Sequence, residues 1–273
     1  MVNQRDYSEE LVEAAYRVLL ELARILGEYR EDIVVIGGWV PQLLIDVENR
    51  HVGSIDVDIA VNHQTVSEAG YQTILRSLQS HGYRQSNKQP FIFFRNIDLN
   101  GESIEVEVDF LAGEYGGTGR GRRTQKAQDM RFRKARGADL VFLMPERIRI
   151  SGELPGGGKD SAEIQVASIS TLIVMKSFAM RDRLKEKDPW DIYYCLKNYS
   201  GGVDVIVKEF QKLGNSNLIS EAESILSEKF KSIDTVGPVH VADFEDVTDE
   251  EERAFLQRDS FEHVQNLISM LTS

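Results

Sequence analysis

The stretch Val34–Val61, VVIGGWVPQLLIDVENRHVGSIDVDIAV, decides how the fold is read. An apolar run from Val34 to Ile36 stops at Gly37-Gly38. Pro41 stands where a first helical turn tolerates a residue without an N–H, so a short helix is predicted to start near Trp39. A second apolar run, Ile55 to Val61, carries Asp56 and Asp58. Strand residues at i and i+2 point to the same side, so the two carboxylates share a face. Two readings of that face compete: a metal site, or a solvated face on an edge strand.

On the N-terminal side, Leu11, Ala14, Ala15, Val18, Leu19, Leu22 and Ile25 recur at helical spacing behind Asp6 or Ser8 as cap. On the C-terminal side, TVSEAGYQTILRSLQSHGY reads as a helix ending at Gly82. FIFFRNIDLNGESIEVEVDFL then reads as a β-hairpin turning at Asn100-Gly101. Its second strand sends Ile104, Val106, Val108 and Phe110 one way, and Glu105, Glu107 and Asp109 the other. Strands are predicted near 140–144, 147–150 and 164–166. Helices are predicted at 169–184, 188–198, 203–213, 217–231 and 248–271, the last opened by Thr248 and Glu251 as a capping box. The fold class expected is α/β: a mixed-sheet core over 1–165, including the N-terminal helix, followed by an α-helical C-terminal domain over 166–273.

The 273 residues are 41% hydrophobic, enough for a core. The formal charge of −12 repels polyanions on average, so nucleic-acid contact would need a local basic patch. Cys195 is the one cysteine, which excludes intrachain disulfides and zinc sites built on several thiolates. His51 and His63 flank the aspartate strand and read as surface residues. The N-terminus is charged from Arg5 on, and no apolar run approaches the roughly 20 residues of a membrane span, so a soluble, cytoplasmic protein with no membrane partner is expected.

Mg²⁺ prefers oxygen ligands and commonly joins one or two carboxylates to substrate phosphates. Asp109, near the end of another strand, could complete a three-carboxylate site with Asp56 and Asp58, with Glu107 in reserve. Two ions held this way would suit in-line phosphoryl or nucleotidyl transfer. Gly37-Gly38 would let backbone approach a triphosphate, with the following helix N-terminus supplying N–H donors. Trp39 either stacks on a base or packs in the core.

Here the sequence resembles the polymerase-beta-like nucleotidyltransferase superfamily, and most nearly its AbiEii-type branch, which includes toxins of toxin–antitoxin pairs. The resemblance rests on GGW at 37–39, SIDVDIAV at 54–61, VEVDFL at 106–111 and KSFAMRDRLKEKDPWDIYYCL at 176–196. It implies Asp56, Asp58 and Asp109 as metal ligands, with Gly37, Gly38 and Ser54 near the nucleotide phosphates. The chain departs from the superfamily's Gly-Ser in placing Trp39 after a Gly-Gly pair. An NTP such as ATP would be the substrate. A toxin role, with RNA such as tRNA as acceptor and an antitoxin protein as partner, is implied by the resemblance alone. A relative modifying a small molecule or a protein, and a non-catalytic nucleotide-binding relative, stay open.

In the last motif, Lys176 and Arg183 lie on one helical face and could point together at phosphates. Asp188 followed by Pro189 reads as a helix cap. Lys176 is taken as the phosphate contact, and Asp188 and Asp191 as orienting it or Lys187. Arg120, Arg122, Arg123, Arg131 and Arg133 crowd one segment with a single acid, Asp129. That segment could bind an RNA acceptor or the triphosphate, or be a solvated loop.

Overall fold

A computed structural model of the chain describes residues 2–62, 65–66, 68–112, 124–127, 130–214 and 216–272. The chain separates into two compact units. One comprises Ser8–Trp39 and Gly53–Ala167, and the other comprises Met1–Tyr7, Val40–Val52 and Ser168–Ser273. The helical unit takes in two earlier segments besides Ser168–Ser273, which a linear division cannot assign.

The sheet unit holds α1 (Glu9–Ile25), β1 (Ile33–Ile36), β2 (Asp56–Val61), α3 (Glu68–Ser80), β3 (Arg84–Gln85), β4 (Ile92–Leu99), β5 (Glu102–Ala112), β6 (Thr124–Ala127), β7 (Met130–Lys134), β8 (Glu146–Glu153) and β9 (Lys159–Val166). The short α2 (Trp39–Leu44) follows the glycine pair. Strand order is β3-β4-β5-β2-β1-β9-β8, with β7 on the end of β5 and β6 on β7. The sheet is mixed: β2–β5 and β1–β9 run parallel, β1–β2, β4–β5 and β8–β9 antiparallel. β2 therefore lies between β1 and β5. The edge-strand reading of Asp56 and Asp58 is overturned.

Ser8 caps α1, its hydroxyl accepting from the Leu11 N–H. The helix lays Leu19, Leu22 and Ala23 over Ile33, Val35 and Ile59, around a small apolar cavity on one face of the sheet. Leu22 is fully buried, and its truncation to alanine would cost about 2–5 kcal/mol. The β4–β5 hairpin turns where predicted, with Asn100 at φ 54° and Gly101 at φ 87°, the two left-handed residues that a type I′ turn requires.

Three expectations change. Residues Ala138–Phe142 form a 3₁₀ turn rather than a strand, entered from Gly137 at φ 82°. A short apolar run does not by itself separate strand from helix. Asp249, not Thr248 with Glu251, caps the last helix by accepting from the Glu252 N–H. Asp188 does not cap at all, because its carboxylate turns inward.

The second unit carries α4 (Ile169–Asp182), α5 (Lys187–Asn198), α6 (Gly202–Leu213), α7 (Asn217–Lys229), α8 (Val236–Phe244) and α9 (Glu250–Leu271). α8 falls between the helices predicted at 217–231 and 248–271, where no element was expected. Pro238 falls in the first turn, where no intrahelical N–H bond is lost.

Candidate functional site

In the sheet unit, Asp56 stands in register with Glu107, and Asp58 with Asp109, across the parallel β2–β5 pair. Register partners share a face, so Asp56, Asp58, Glu107 and Asp109 stand on one side of two interior strands. Val57, Ile59, Val108 and Phe110 fill the other side, each at most 2% exposed. Asp109 is 3% exposed; Asp56, Asp58 and Glu107 are half-buried. Glu105 points the same way farther back and pairs with Arg84 at 2.9 Å near the surface.

Gly37 has φ 72°, and a Cβ built there would lie 2.3 Å from Asp58 Oδ2. The glycine is thus required twice, for the left-handed turn and for the space the carboxylate occupies. Trp39 is 1% exposed and tilted against Tyr16 at 5.7 Å between ring centroids, which decides for core packing. Its indole N–H donates to the main-chain oxygen of Asp56 at 2.8 Å. Ser54, 5% exposed, donates its hydroxyl to Asp56 Oδ1 at 2.5 Å. Among the described residues, no three His, Cys, Asp or Glu side chains are gathered closely enough to hold a metal ion as they stand. The aspartates share a face without forming a closed ligand sphere.

The helical unit holds a second polar cluster. Lys176 Nζ lies 2.8 Å from Asp188 Oδ1 and 2.6 Å from Asp191 Oδ2. Arg183 grips Asp188 from its other side, at 2.9 and 3.1 Å. Lys187 reaches Asp191 Oδ1 at 2.7 Å, one helical turn on. These five side chains form one ion-paired cluster, in which Lys176 is 8% exposed and faces two carboxylates.

Burial works against the charged forms, yet the ion pairs prevail. The Lys176 pKa is raised by Asp188 and Asp191. That of Asp191 is held well below the carboxylate range by Lys176 and Lys187, and that of Asp188 is lowered by Lys176 and Arg183.

His51 belongs to this cluster and was missed. It is 3% exposed, with Nε2 2.9 Å from Asp191 Oδ1 and its ring 4.8 Å from that of Trp190 and 4.9 Å from that of Tyr194. Burial pushes its pKa down to about 4, Lys187 and Lys176 push the same way, and Asp191 opposes them. No local pattern marks it, since Asp191 lies 140 residues away in sequence. His63, Arg120, Arg122, Arg123 and Asp129 lie outside the described residues, while Arg131 and Arg133 fall on β7.

No family model matches the chain, and no curated protein does either. Among solved structures, the fold is similar to an antigenic nucleotidyltransferase-like protein from Paracoccidioides brasiliensis, at 17% identity over 81% of this chain and 89% of that one, with a TM-score of 0.38. A likeness of that size carries no functional argument.

Proposed function

We propose that the chain is a Mg²⁺-dependent nucleotidyltransferase that moves a nucleoside monophosphate from an NTP to an acceptor hydroxyl, with release of pyrophosphate. The observation that carries this reading is the carboxylate face itself: Asp56, Asp58, Glu107 and Asp109 in register on two interior strands, beside a glycine turn. Like charges sharing one face of neighbouring strands repel one another, so such a face favours a cation. The donors are all oxygen, which fits a hard ion. Asp56, Asp58 and Asp109 would hold it, with Glu107 as a further carboxylate alongside.

Bound there, Mg²⁺ would offset the charge of the triphosphate and polarise the acceptor hydroxyl. The protein's own groups position that chemistry. Gly37 leaves room for the Asp58 carboxylate, and the strand pairing sets Asp109 beside it. No side-chain nucleophile is required. In the helical unit, Arg183 is the cation of the cluster more open to an anion, because its side chain is 43% exposed whereas that of Lys176 is 10% exposed. Lys176, Lys187, Asp188 and Asp191 are then supporting residues that fix Arg183 through Asp188.

The finer form of the proposal, an AbiEii-type toxin with an RNA such as tRNA as acceptor and an antitoxin as partner, draws on the sequence motifs and on the arginines at 120–133. Incubation with Mg²⁺ and each labelled NTP, with and without total RNA, tests both levels. Label in RNA is the expected result, and Asp56→Ala should abolish it while leaving the circular dichroism unchanged. Label in protein or in a small acceptor would redirect the acceptor. No NTP binding at millimolar Mg²⁺ would remove the enzyme reading.

A further inference from the structure

Asp56 is held at both ends by groups that no ligand set accounts for. Its main-chain oxygen accepts from the Trp39 indole at 2.8 Å, and its Oδ1 accepts from the Ser54 hydroxyl at 2.5 Å. The second distance is that of a charge-assisted O–H···O⁻ bond, stronger than a neutral one. Ser54 reaches this position because the chain turns sharply just before it. Gly53 has φ 78°, and a Cβ there would lie 2.7 Å from Val12 Cγ1. Ser54 and Trp39 are 5% and 1% exposed, so both donors are fixed by the packing around them. Ile55, between Ser54 and Asp56, is 36% exposed and takes no part.

We infer that Ser54 and Trp39 are positioning residues for Asp56: together they commit its backbone and one carboxylate oxygen, and present the other, Oδ2, to a divalent cation. Among the described residues Oδ1 alone of the two carboxylate oxygens is hydrogen-bonded, so Asp56 is a one-oxygen ligand with a preset orientation. This differs from a phosphate contact, because the proton that Ser54 would offer a phosphate already goes to Asp56. Groups that orient ligands from behind in this way commonly cost 10–100-fold in metal affinity when removed. The inference rests on the nucleotidyltransferase reading, and its test separates the two.

The test measures Mn²⁺ binding to the full-length protein by water-proton relaxation, without nucleotide, for wild type, Ser54→Ala, Ser54→Thr, Trp39→Phe and Asp56→Asn. Ser54→Ala should weaken Mn²⁺ about tenfold or more. Ser54→Thr, which keeps the hydroxyl, should stay close to wild type. Trp39→Phe, which keeps a ring and loses the N–H, should weaken binding in the same direction as Ser54→Ala. Asp56→Asn should lose the ion. Circular dichroism of each variant keeps a folding defect from passing as a binding defect. If Ser54→Ala binds Mn²⁺ like wild type while Asp56→Asn does not, the inference fails and the enzyme reading stands. If wild type binds no Mn²⁺, both fail.

Discussion

Replacing His51 with glutamine should remove a defined part of the protein's acid sensitivity. His51 is enclosed by Asp191, Lys176 and Lys187 and by the Trp190 and Tyr194 rings, and its pKa is pushed down to about 4 from 6.5. Asp191 already faces two lysines, so a proton on His51 adds a third cation around one carboxylate. The folded-state pKa lies below the unfolded one, so the unfolded chain takes up the proton first as pH falls. The stabilisation is complete above about pH 6.5 and is lost between about 6.5 and 4. At about 1.36 kcal/mol per unit, the full loss is about 3 kcal/mol, of which about 2 kcal/mol falls between pH 7 and pH 5. Asp188 and Asp191 also lose stability in acid, but their pKa values are lowered from 3.8, so their loss falls below this window. Urea denaturation of wild type and His51→Gln at several pH values from 7 to 4.5 reads the difference, in which the other histidines cancel. Wild type should lose about 2 kcal/mol more than the variant by pH 5. Parallel curves for the two proteins, or an imidazole NMR titration of His51 near 6.5, would refute the reasoning.

Two substitutions probe the two clusters directly. Gly37→Ala places a methyl 2.3 Å from Asp58 Oδ2 at φ 72°, so it should destabilise the protein by about 1–2 kcal/mol and weaken Mn²⁺ binding; unchanged melting and binding would contradict the close packing. Asp191→Asn leaves Lys176 and Lys187 without the charge between them and should cost about 3–5 kcal/mol in urea denaturation. A cost below about 1 kcal/mol would show that the lysines find other compensation.

Local patterns made much of this protein readable. The glycine stop after β1, the alternation along β5 and the Asn100-Gly101 turn follow from backbone sterics and a two-residue period, and each is present. Helix spacing, with its period of about 3.6 residues, gave most of the second unit. The pairing of Lys176 with Asp188 and Asp191 was also within reach, because these residues come from helices joined by a short turn.

Caps misled where two local solutions compete. Asp188 and Asp249 each stand beside a helix start, and only Asp249 caps it, because a buried lysine and an arginine draw Asp188 inward. His51 gave no signal, because its partner comes from a helix far along the chain.

The sequence by itself determined which residues could share a strand face and which could share a helix face, since those depend on short-range geometry. It could not place β2 between β1 and β5, set Asp58 against Asp109, bring Ser54 and Trp39 onto Asp56, or bury His51 beside Asp191. Those are decided by strand order and by packing between distant segments. Burial then turns ordinary carboxylates and an ordinary imidazole into groups with fixed partners and, in the helical cluster, shifted protonation.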